Sequence, residues 1–594
     1  MTLLIVHAVV VLTILPLLTL RGRALRGWLA IDMAMYALAA MVWPQVAGVD
    51  PRLAAIGFVA VKLALFFVAQ ATTDEVRWSP GRGALQALLV LSLVVPQTLR
   101  VPIDGDEPFY VLITESIVQD RDLDLANQYR TLDRTASGRT DLKPQFGDPV
   151  GSSGEQYSRH EPFLPLLLIP GYLMAGLPGA VATMVLFGAL LVRSTLRLFE
   201  DEGIPDGVAR AVFPFFAFGP PLIFYATRIW PEVPAAFFFV EAIRGIRNRR
   251  AGRWVPALLM MSLLKLRFAL VALPLCTRFV IRSRRNAMLA AIAVAVPLLV
   301  LWMASGSVMS VHSLRDIAPG GPREYLRGFF GLMLDGAAGV AFQAPFYLLG
   351  LFAITRWRLT PESFRLGLIG ASLYILLLIP RTEWHGGWGP PLRYIAFLTP
   401  ILALGAAAVW DRIPRTLIAV VGVWTVGLVI HGVTFPWRLF HLANGENVLG
   451  EALSLAYQSD FSRLFPSFIR LNQAGVVAAL TLVVAGCWWS VVGSRWSVVG
   501  GRALTTPFVI PVFVMLVAAA FTFGRMPARI AEFEDAHVIH HGGEVHPPPY
   551  AFARFVYRGG WILHEGDSLT FLARRGMATL HYATGIAATI DIAG

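Results

Sequence analysis

The stretch GALQALLVLSLVVPQTLRVPIDGDEPFY, residues 83–110, decides the fold. Its first part, residues 83–99, carries no charged side chain, and three carboxylates follow between Asp104 and Glu107. A helix needs about 20 apolar residues to cross a bilayer. We therefore predict a membrane span near 83–100 that ends just before a carboxylate cluster.

The composition of the whole chain agrees with that prediction. Of its 594 residues, 56% are hydrophobic and 15% are charged, and its mean hydropathy is +0.62. Because a soluble globular chain carries about 25% charged residues, these values exclude one, and they also exclude a disordered, collagen-like or disulfide-rich secreted chain. The two cysteines, Cys276 and Cys487, lie in apolar runs, where a thiol usually packs as a small hydrophobe. We predict an all-α polytopic membrane protein.

Apolar runs of similar length recur and predict about sixteen transmembrane helices. The two short runs beside Lys265 are either two helices or one broken helix. Residues 3–20 follow no basic region and precede no cleavage site of small residues, so no removable signal peptide is predicted. We place the spans near 3–20, 28–48, 52–70, 83–100, 177–197, 207–226, 231–245, 254–264, 266–281, 286–304, 338–354, 363–380, 392–409, 415–431, 472–490 and 504–523.

The arginines predict the orientation. If the spans alternate, one set of loop arginines falls on a single side, and the positive-inside rule makes that side cytoplasmic. The set is Arg21, Arg23, Arg26, Arg244, Arg247, Arg249, Arg250, Arg253, Arg282, Arg284, Arg285, Arg356, Arg358, Arg412, Arg415, Arg495 and Arg502. Both termini are then extracytoplasmic, as are the segments 101–162, 305–337, 381–392 and 432–471. We therefore expect these segments to face the exterior of the cell.

The outer segments contain more than connectors. Phe109, Ile113 and Ile117 recur at helical spacing, which is typical of an amphipathic interfacial helix. From Ala551 onward, alternating β-branched runs such as 577–582 and 585–592 predict a small extracytoplasmic β domain. Three segments are predicted as short interfacial helices: 107–120, 161–175 and 448–470.

The first group of candidate functional residues is Asp104, Asp106 and Glu107. Carboxylates this close repel one another and are costly to desolvate at a membrane surface, so they require a cation, hydrogen-bond donors or a catalytic role. One of them could act as a general base toward a sugar hydroxyl. The alternative is a solvated loop end, in which Asp104 or Glu107 caps the following helix.

Two further groups place cations at helix breaks. Tyr157, Arg159 and His160 open the second interfacial helix, where a cation and an imidazole suit a phosphate or sugar hydroxyls. The alternative there is an arginine that snorkels to lipid headgroups. Lys265 and Arg267 lie on the predicted outer side, against the positive-inside trend, and a lipid-linked phosphate would be a suitable partner. Their alternative is an ion pair with an outer carboxylate.

The fourth group is the loop EWHGGWGPPLRY, residues 383–394. Trp384 and Trp388 offer flat faces for a sugar ring, the glycines permit close approach of the backbone to a ligand, and Arg393 adds an outer cation. The alternative is a tight turn with an interfacial aromatic residue. That alternative explains one tryptophan but not the whole loop.

Other residues are weaker candidates. Arg228 and Glu232 flank an outer turn and predict a structural ion pair, and Asp335 is a candidate helix N-cap. The chain has no phosphate loop and no dinucleotide fingerprint, so no bound nucleotide is expected. Four histidines near the C-terminus match no known metal-ligand spacing: His537, His540, His541 and His546.

The order of these groups resembles that of the GT-C glycosyltransferases, which include protein O-mannosyltransferases and lipid A aminoarabinose transferases. GDEPFY at 105–110 is similar to the Asp-Glu motif of that superfamily, and YSRHEPFLPLLLIPG at 157–171 to its second interfacial helix. The resemblance covers about residues 83–470. Three more blocks are similar to those of its bacterial members: IWPEVPAA at 229–236, LKLRFAL at 264–270 and WHGGWGPPLRY at 384–394.

The resemblance implies a bacterial inner-membrane protein with its active site on the outer face. It implies a polyprenyl-phosphate-sugar donor, bound from the outer leaflet, and inverting transfer to a hydroxyl of an envelope glycan, lipid or protein. It implies Asp106 as the base and Glu107 or Asp104 as residues that orient the acceptor, and it leaves open a divalent cation near Asp104 and Asp106. The implied ligands of the donor phosphate are Arg393, Lys265, Arg267 and Arg159. The implied sugar and acceptor ligands are His160, Tyr157, Trp384, His385, Trp388, Glu383 and Tyr394.

The resemblance also divides the chain into additional N-terminal transmembrane helices at 1–82, a catalytic core at 83–470, C-terminal transmembrane helices at 471–524 and the β-rich domain at 525–594. Two alternative functions stay open: a flippase or transporter of a lipid-linked saccharide, and a polymerase or ligase of envelope glycans. A transporter predicts paired half-repeats and ionisable residues at mid-membrane. No such repeat is found in the sequence, and the charges are expected to cluster at span ends.

Overall fold

A computed structural model describes the greater part of the chain. The predicted spans 472–490 and 504–523, most of the predicted helix 448–470, and Trp388 lie outside the described residues. The described residues are 2–42, 51–76, 78–100, 103–137, 142, 144–145, 155–280, 283–305, 321–381, 383–387, 389–436, 439 and 465–469, with three strands between 560 and 581.

The described part of the chain is mainly helical, and each predicted span within it contains at least one helix. In chain order the α-helices are α1 Thr2–Thr19, α2 Gly22–Val42, α3 Pro51–Thr72, α4 Pro80–Thr98, α5 Glu107–Gln119, α6 Ala126–Arg130, α7 Phe163–Asp201, α8 Asp206–Phe218, α9 Leu222–Tyr225, α10 Glu232–Arg247, α11 Ala251–Leu264, α12 Ala269–Val280, α13 Arg284–Ser305, α14 Pro322–Leu334, α15 Val340–Gln343, α16 Phe346–Phe352, α17 Glu362–Leu378, α18 Arg393–Ala396, α19 Thr399–Val409 and α20 Arg415–Thr434. Short 3-10 helices lie at Leu132–Arg134, Leu266–Phe268, Ala353–Leu359 and Trp410–Arg412.

Fewer helices than predicted have the length and hydropathy to cross a membrane. Within the described residues the candidates are Ala54–Thr72, Phe163–Asp201 and Arg415–Thr434, and the pair Phe346–Leu359 and Glu362–Leu378, bent by 113°, would be a fourth. Breaks at proline and glycine divide several predicted spans. The span 207–226, for example, is split into α8 and α9 by a Gly-Pro-Pro sequence. The count of about sixteen spans stays a prediction.

Helix α7 contains a sharp break. Ala175 and Gly176 leave helical geometry, with φ of −151° and +60°. The chain then folds back, so that a Cβ on Gly171 would lie only 2.3 Å from the Gly179 carbonyl oxygen. Eight residues of a continuous helix would separate these positions by about 12 Å. The predicted break between the interfacial part and the span that follows it is therefore confirmed.

Helix α5 is buried, which corrects the prediction that 107–120 presents a polar face to solvent, while its position at the membrane interface stays a prediction. Every residue from Glu107 to Ser116 is buried. One side of α5 packs against α7, and on the other side Leu125, from the following loop, contacts an apolar cluster with Leu112 and Ile113. The apolar spacing identified the helix but could not show that a polar loop covers its second side.

An ion pair lies within the N-terminal helices and is an exception to the expectation that charges cluster at span ends. Lys62, in the middle of α3, is 1% exposed and pairs with Asp32 in the middle of α2. Its Nζ also donates to the Tyr36 hydroxyl at 3.2 Å. Because an unpaired buried charge is costly, the pair stabilises the contact of α2 with α3.

Asp335 holds a distant segment, 465–469, against the end of α14. Its carboxylate accepts hydrogen bonds from the backbone amides of Ala337, Ala338 and Phe468 at 2.7–2.9 Å. Burial raises the pKa of Asp335 to about 6, although these amides lower it. The prediction that Asp335 is a helix N-cap is wrong, because Asp335 is the C-cap residue of α14 and Gly339 precedes α15. Residues 465–469 form a turn, and the rest of the predicted interfacial helix 448–470 lies outside the described residues.

Three strands near the C-terminus, β1 Gly560–Glu565, β2 Ser568–Ala573 and β3 Gly576–His581, form an antiparallel sheet in that order. Leu572 of β2 pairs with Trp561 on one side and Met577 on the other. Strand β3 coincides with the predicted strand 577–582, whereas 585–592 lies outside the described residues. That these strands form a domain on the outer face stays a prediction.

Gly350 permits the close crossing of α16 and α19 and provides a test of this packing. A Cβ there would lie 2.0 Å from the Leu402 carbonyl oxygen, whereas one at Gly427 in α20 would meet nothing within 4 Å. We expect Gly350→Ala to lower the free energy of unfolding by about 1–3 kcal/mol. Gly427→Ala, its matched control, should leave it unchanged or raise it by up to about 1 kcal/mol. Thermal unfolding of both variants in one detergent measures this, and equal shifts would refute the assigned crossing.

Candidate active site

Seven charged side chains from four parts of the chain meet in a group that we call the charge cluster. Two of them begin α5, two flank the turn before α10, two lie in the break between α11 and α12, and one begins α18. The structure thus brings together residues from three of the candidate functional groups and a pair, Arg228 and Glu232, that was predicted to be structural. The members are Asp106, Glu107, Arg228, Glu232, Lys265, Arg267 and Arg393.

Most of these charges alternate in sign along a chain of ion pairs. Asp106 accepts a hydrogen bond from Arg393 and lies 3.4 Å from Lys265 Nζ. Arg393 Nε also donates to Glu232 at 3.1 Å, and Arg267 donates to the same carboxylate oxygen. Lys265 therefore makes an ion pair with a carboxylate of the predicted outer segment 101–162, as its alternative interpretation predicted, and its partner is the candidate base itself.

Glu107 and Arg228 form a separate, deeply buried pair. Arg228 Nη1 lies 3.3 Å from one oxygen of Glu107, and the other oxygen accepts from the Ile229 amide at 2.7 Å. Glu107 is 0% and Arg228 1% exposed. The predicted pair of Arg228 with Glu232 is wrong: Glu232 lies beyond the turn, as the first residue of α10, and pairs with the arginines named above.

A strained loop brings Arg393 into the cluster. Gly386 has φ +107°, and a Cβ there would lie 2.8 Å from Arg393 Cβ. Arg393 Nη1 donates to the Gly386 carbonyl at 3.2 Å, and its guanidinium stacks over Trp230 at 4.3 Å from the ring centroid. A Cβ on Gly389 would lie 3.0 Å from the same indole. The glycines therefore permit close backbone packing, as predicted, but against the protein's own Arg393 and Trp230.

The break after α11 brings Lys265 and Arg267 into the cluster. Lys265 has extended geometry, with φ −162° and ψ 133°, between α11 and a 3-10 turn. The Leu266 amide, which the break leaves without a helical partner, donates to Glu161 at 3.2 Å. Of the two interpretations left open, the structure thus shows two helices, α11 and α12, with an interruption that orients two cations inward.

Opposing effects act on the two carboxylates that begin α5. Burial raises the pKa of Asp106, but the positive charges of Arg393 and Lys265 outweigh it and hold that pKa well below its usual range. Burial also raises the pKa of Glu107, and there Arg228 and the Ile229 amide do not fully offset it. Asp106 is therefore an ionised, well-paired carboxylate, while Glu107 is a buried structural acid.

The cluster is electrically balanced once Glu161 is included. It then holds the four cations Arg228, Lys265, Arg267 and Arg393 and four carboxylates. Because each cation already faces a carboxylate, an incoming anion has to compete with an internal one. Asp106 is the most accessible competitor, since its side chain is 21% exposed while those of Glu107 and Glu232 are 0% exposed.

Of the second group, the structure brings only His160 to the cluster. Its ring stacks on Phe109 with centroids 5.1 Å apart and meets Tyr110 edge-on at 5.2 Å. The Tyr157 hydroxyl instead donates to Glu155, and this bond raises the pKa of Tyr157 to about 12. Within the described residues, the Arg159 side chain makes none of the ion pairs of the cluster. Its role as a phosphate ligand, and that of Tyr157 as a sugar ligand, stay predictions.

The predicted sugar ligands in the loop 383–394 have different environments. Trp384 is 1% exposed and packs on Gly331 of α14, which is the environment of a core residue and not of an open sugar platform. Tyr394 is also buried and contacts Arg267, whose guanidinium lies 5.0 Å from the ring centroid. Burial, with the nearby charge of Arg327, lowers the pKa of His385 to about 4. Glu383 is exposed.

Asp104 has a local structural role in this conformation. Its carboxylate accepts from the Gly105 amide at 2.8 Å, and its own amide donates to Glu107 at 3.3 Å. Among the residues that the structure describes, no three His, Cys, Asp or Glu side chains are grouped to bind a metal ion. The four C-terminal histidines lie outside the described residues.

Sequence analysis missed three contributors to the cluster. Glu161, which was quoted only within the block 157–171, accepts a hydrogen bond from the Leu266 amide. Glu232 positions both Arg267 and Arg393, but it was paired with its sequence neighbour Arg228. Tyr110, which was seen only as part of a motif, accepts a hydrogen bond from Lys265 at 3.3 Å and is fully buried. The available signal was that two cations at the α11–α12 break needed more than one carboxylate nearby.

Comparison with known proteins finds matches among solved structures. No protein-family model matches the sequence, and no curated protein does. Among solved structures, the crystal structure of ArnT from Cupriavidus metallidurans in the apo state is similar over 77% of this chain and 80% of that chain. The sequence identity is 15% and the TM-score is 0.37, a level of similarity that identifies no family.

The buried pair of Glu107 and Arg228 predicts a strong effect of a nearly isosteric change. Glu107→Gln keeps an acceptor for the Ile229 amide but leaves Arg228 as an uncompensated buried charge. We expect this variant to lose about 3–5 kcal/mol of the free energy of unfolding. In the exposed pair of Arg197 and Glu200, the matched change Glu200→Gln should cost at most about 1 kcal/mol. Thermal unfolding in detergent compares the two, and similar losses would show that the first pair is not buried.

Proposed function

We propose that the protein is an integral membrane glycosyltransferase that moves a sugar from a polyprenyl-phosphate donor to an acceptor hydroxyl on the extracytoplasmic face, with inversion. The observation that carries this proposal is that Arg393 and Lys265 converge on Asp106. Two cations that suit a phosphate thus lie beside the carboxylate that the sequence motif marks as the base.

The donor phosphate binds by exchange of ion-pair partners. Arg393 presents a planar guanidinium that can bind two phosphate oxygens, and Lys265 adds a compact charge. Both are held by Asp106 in the free protein, so a phosphate that takes them over replaces this carboxylate. Glu232 keeps Arg393 and Arg267 in place during the exchange, because its bonds to them do not involve Asp106.

The same exchange activates the base. A carboxylate that is paired with two cations has a low pKa and is a weak base. When the donor phosphate draws Arg393 and Lys265 away, the pKa of Asp106 rises, and its ability to accept a proton increases. Asp106 thus becomes an effective base only when the donor is bound, which limits proton abstraction in the absence of the donor.

The transfer itself moves one proton and one glycosyl group. The acceptor hydroxyl gives its proton to Asp106 while its oxygen bonds to the anomeric carbon from the face opposite the phosphate. The bond between the anomeric carbon and the phosphate oxygen breaks, and the lipid phosphate leaves with the bonding electron pair. The cations stabilise the negative charge of the leaving group, so the leaving oxygen needs no proton.

The charge asymmetry along α10 supports the proposed extracytoplasmic placement of the site. This helix begins with Glu232 in the charge cluster and ends near Arg244 and Arg247. If the arginine-rich end is cytoplasmic, the cluster faces the opposite side of the membrane. On that side a lipid-linked donor would supply the sugar, so no soluble nucleotide sugar would be needed.

A transporter of lipid-linked saccharides is the second candidate function, and one observation favours it. The pair of Asp32 and Lys62 places ionisable residues within predicted membrane spans, where transport proteins often have them. This pair belongs to the N-terminal helices, whereas the residues that suit the donor phosphate lie in the charge cluster. Transport predicts donor translocation in vesicles without release of free polyprenyl phosphate.

Asp106→Asn should separate donor binding from catalysis. We expect the release of free polyprenyl phosphate to fall by about 10²–10⁴-fold, because the amide cannot accept the acceptor proton. Donor binding should become tighter, because Arg393 and Lys265 lose their internal competitor. Mass spectrometry of reactions with a panel of polyprenyl-phosphate sugars and an envelope extract measures the release of polyprenyl phosphate. Titration with the donor measures its affinity. Asp120→Asn, at the exposed end of α5, is the control.

The combinations of results have distinct meanings. Lost release with tighter donor binding supports the exchange of partners, whereas lost release with weaker binding would assign Asp106 to the donor site. Unchanged release would remove Asp106 as the base and direct attention to Asp104. Donor translocation without release by the wild type would favour the transporter.

Arg393→Gln should act in the opposite sense on the donor. It removes the cation that suits a phosphate best, so we expect kcat/KM for the donor to fall by about 10²–10³-fold. Arg323→Gln removes an exposed arginine of α14, on the predicted outer side, and should preserve kcat/KM. Initial rates at varied donor concentration test both variants, and a normal donor kcat/KM in Arg393→Gln would exclude this residue as a phosphate ligand.

A further inference from the structure

A basic cavity lies at the ends of α7 and α10 that are remote from the charge cluster, where α11 begins. Its volume is about 590 Å³. Two carboxylates, Asp201 and Glu241, also line it, so the lining carries an excess of three positive charges. The five arginines in its lining are Arg193, Arg197, Arg244, Arg250 and Arg253.

The carboxylates neutralise only the inner part of this cavity. Arg244 donates to Asp201 at 2.7 Å and to Glu241 at 3.0 Å, and Arg253 lies 3.1 Å from the other oxygen of Glu241. Arg193 and Arg250 are exposed, and in the described part of the chain neither has an ion-pair partner. Charges of one sign that converge without counter-ions raise the local concentration of anions.

Helix α11 adds a second feature that suits an anion. It begins directly after Arg250, and no described side chain caps its first turn. A Cβ on Gly252, in that turn, would meet nothing within 4 Å, so the backbone there is open to a ligand. Free amide groups at a helix N-terminus bind phosphate oxygens well.

The cavity also has an apolar side. Leu190 and Phe237 line it and are only half-buried, next to Arg193 and Glu241. Glu241 lies nine residues after Glu232, which corresponds to about 14 Å along α10, so the cavity is separate from the charge cluster. An arginine-rich part beside apolar residues at helix ends matches an amphiphile better than a small soluble anion.

We propose that this cavity binds the phosphate headgroup of an anionic phospholipid. The exposed Arg193 and Arg250 are its charged ligands, and the backbone amides at the start of α11 donate further hydrogen bonds. The lipid chains would lie along Leu190 and Phe237. The arginine pattern predicts that this end of the helices is cytoplasmic, where basic pockets between membrane helices typically bind such headgroups. The proposal does not depend on the glycosyltransferase function.

The test uses the purified full chain in detergent, titrated with short-chain phosphatidylglycerol, short-chain phosphatidylcholine and sodium phosphate. Native mass spectrometry counts the bound molecules, and thermal unfolding reports stabilisation. We expect R193Q/R250Q to bind phosphatidylglycerol about 30-fold more weakly than the wild type. The matched control is R356Q/R358Q, which removes two exposed arginines on the same predicted face, outside the cavity, and should bind as the wild type does.

Each result decides the proposal. Binding of phosphatidylglycerol that exceeds that of phosphatidylcholine and depends on Arg193 and Arg250 supports it. Arginine-dependent stabilisation by sodium phosphate, without preference between the two lipids, would identify a soluble phosphate compound and overturn the lipid assignment. Equal binding by R193Q/R250Q and the wild type would overturn the site. E241Q frees Arg244 and Arg253 from their shared carboxylate and should therefore tighten the binding of phosphatidylglycerol. If E241Q unfolds at the wild-type temperature but binds this lipid more weakly, the proposed site is also overturned.

Discussion

The ion pair between Asp106 and Arg393 is the constraint on which the arrangement of the site depends. A buried charge without a partner is far more costly than a typical hydrogen bond is favourable. Arg393 is buried and therefore requires carboxylates: Asp106, which lies 287 positions away in the sequence at the start of α5, and Glu232 of α10. Through Glu232 the requirement extends to Arg267 and the break after α11.

The irregular parts of the helices carry the site. Lys265 reaches Asp106 because α11 stops at Leu264, and Arg393 enters the cluster because Gly386 adopts a left-handed conformation. Uninterrupted helices would leave fewer backbone amides free to bind carboxylates such as Glu161. The same interruptions shorten the apolar helices. Long apolar runs in the sequence therefore correspond to shorter, broken helices in the structure.

Local patterns in the sequence predicted elements and residue types, but not partners. The apolar runs identified the helices, and the charges at their ends identified Asp106, Lys265 and Arg393. The pairing of Arg228 could not be derived, because it depends on Glu107, which lies 121 positions away. Trp384 was assigned a ligand role for its residue type, but the packing of its ring on Gly331 depends on the tertiary arrangement of α14.

Charge balance distinguishes the two ends of α10. In the charge cluster every cation already has a carboxylate, so the proposed donor phosphate would have to replace Asp106 and would thereby change the state of that carboxylate. In the basic cavity the arginines exceed the carboxylates, so an anion adds to the site without displacing an internal group. Exchange suits a catalytic site, because it couples ligand binding to the proton affinity of a side chain. Simple addition suits a site that only holds its ligand.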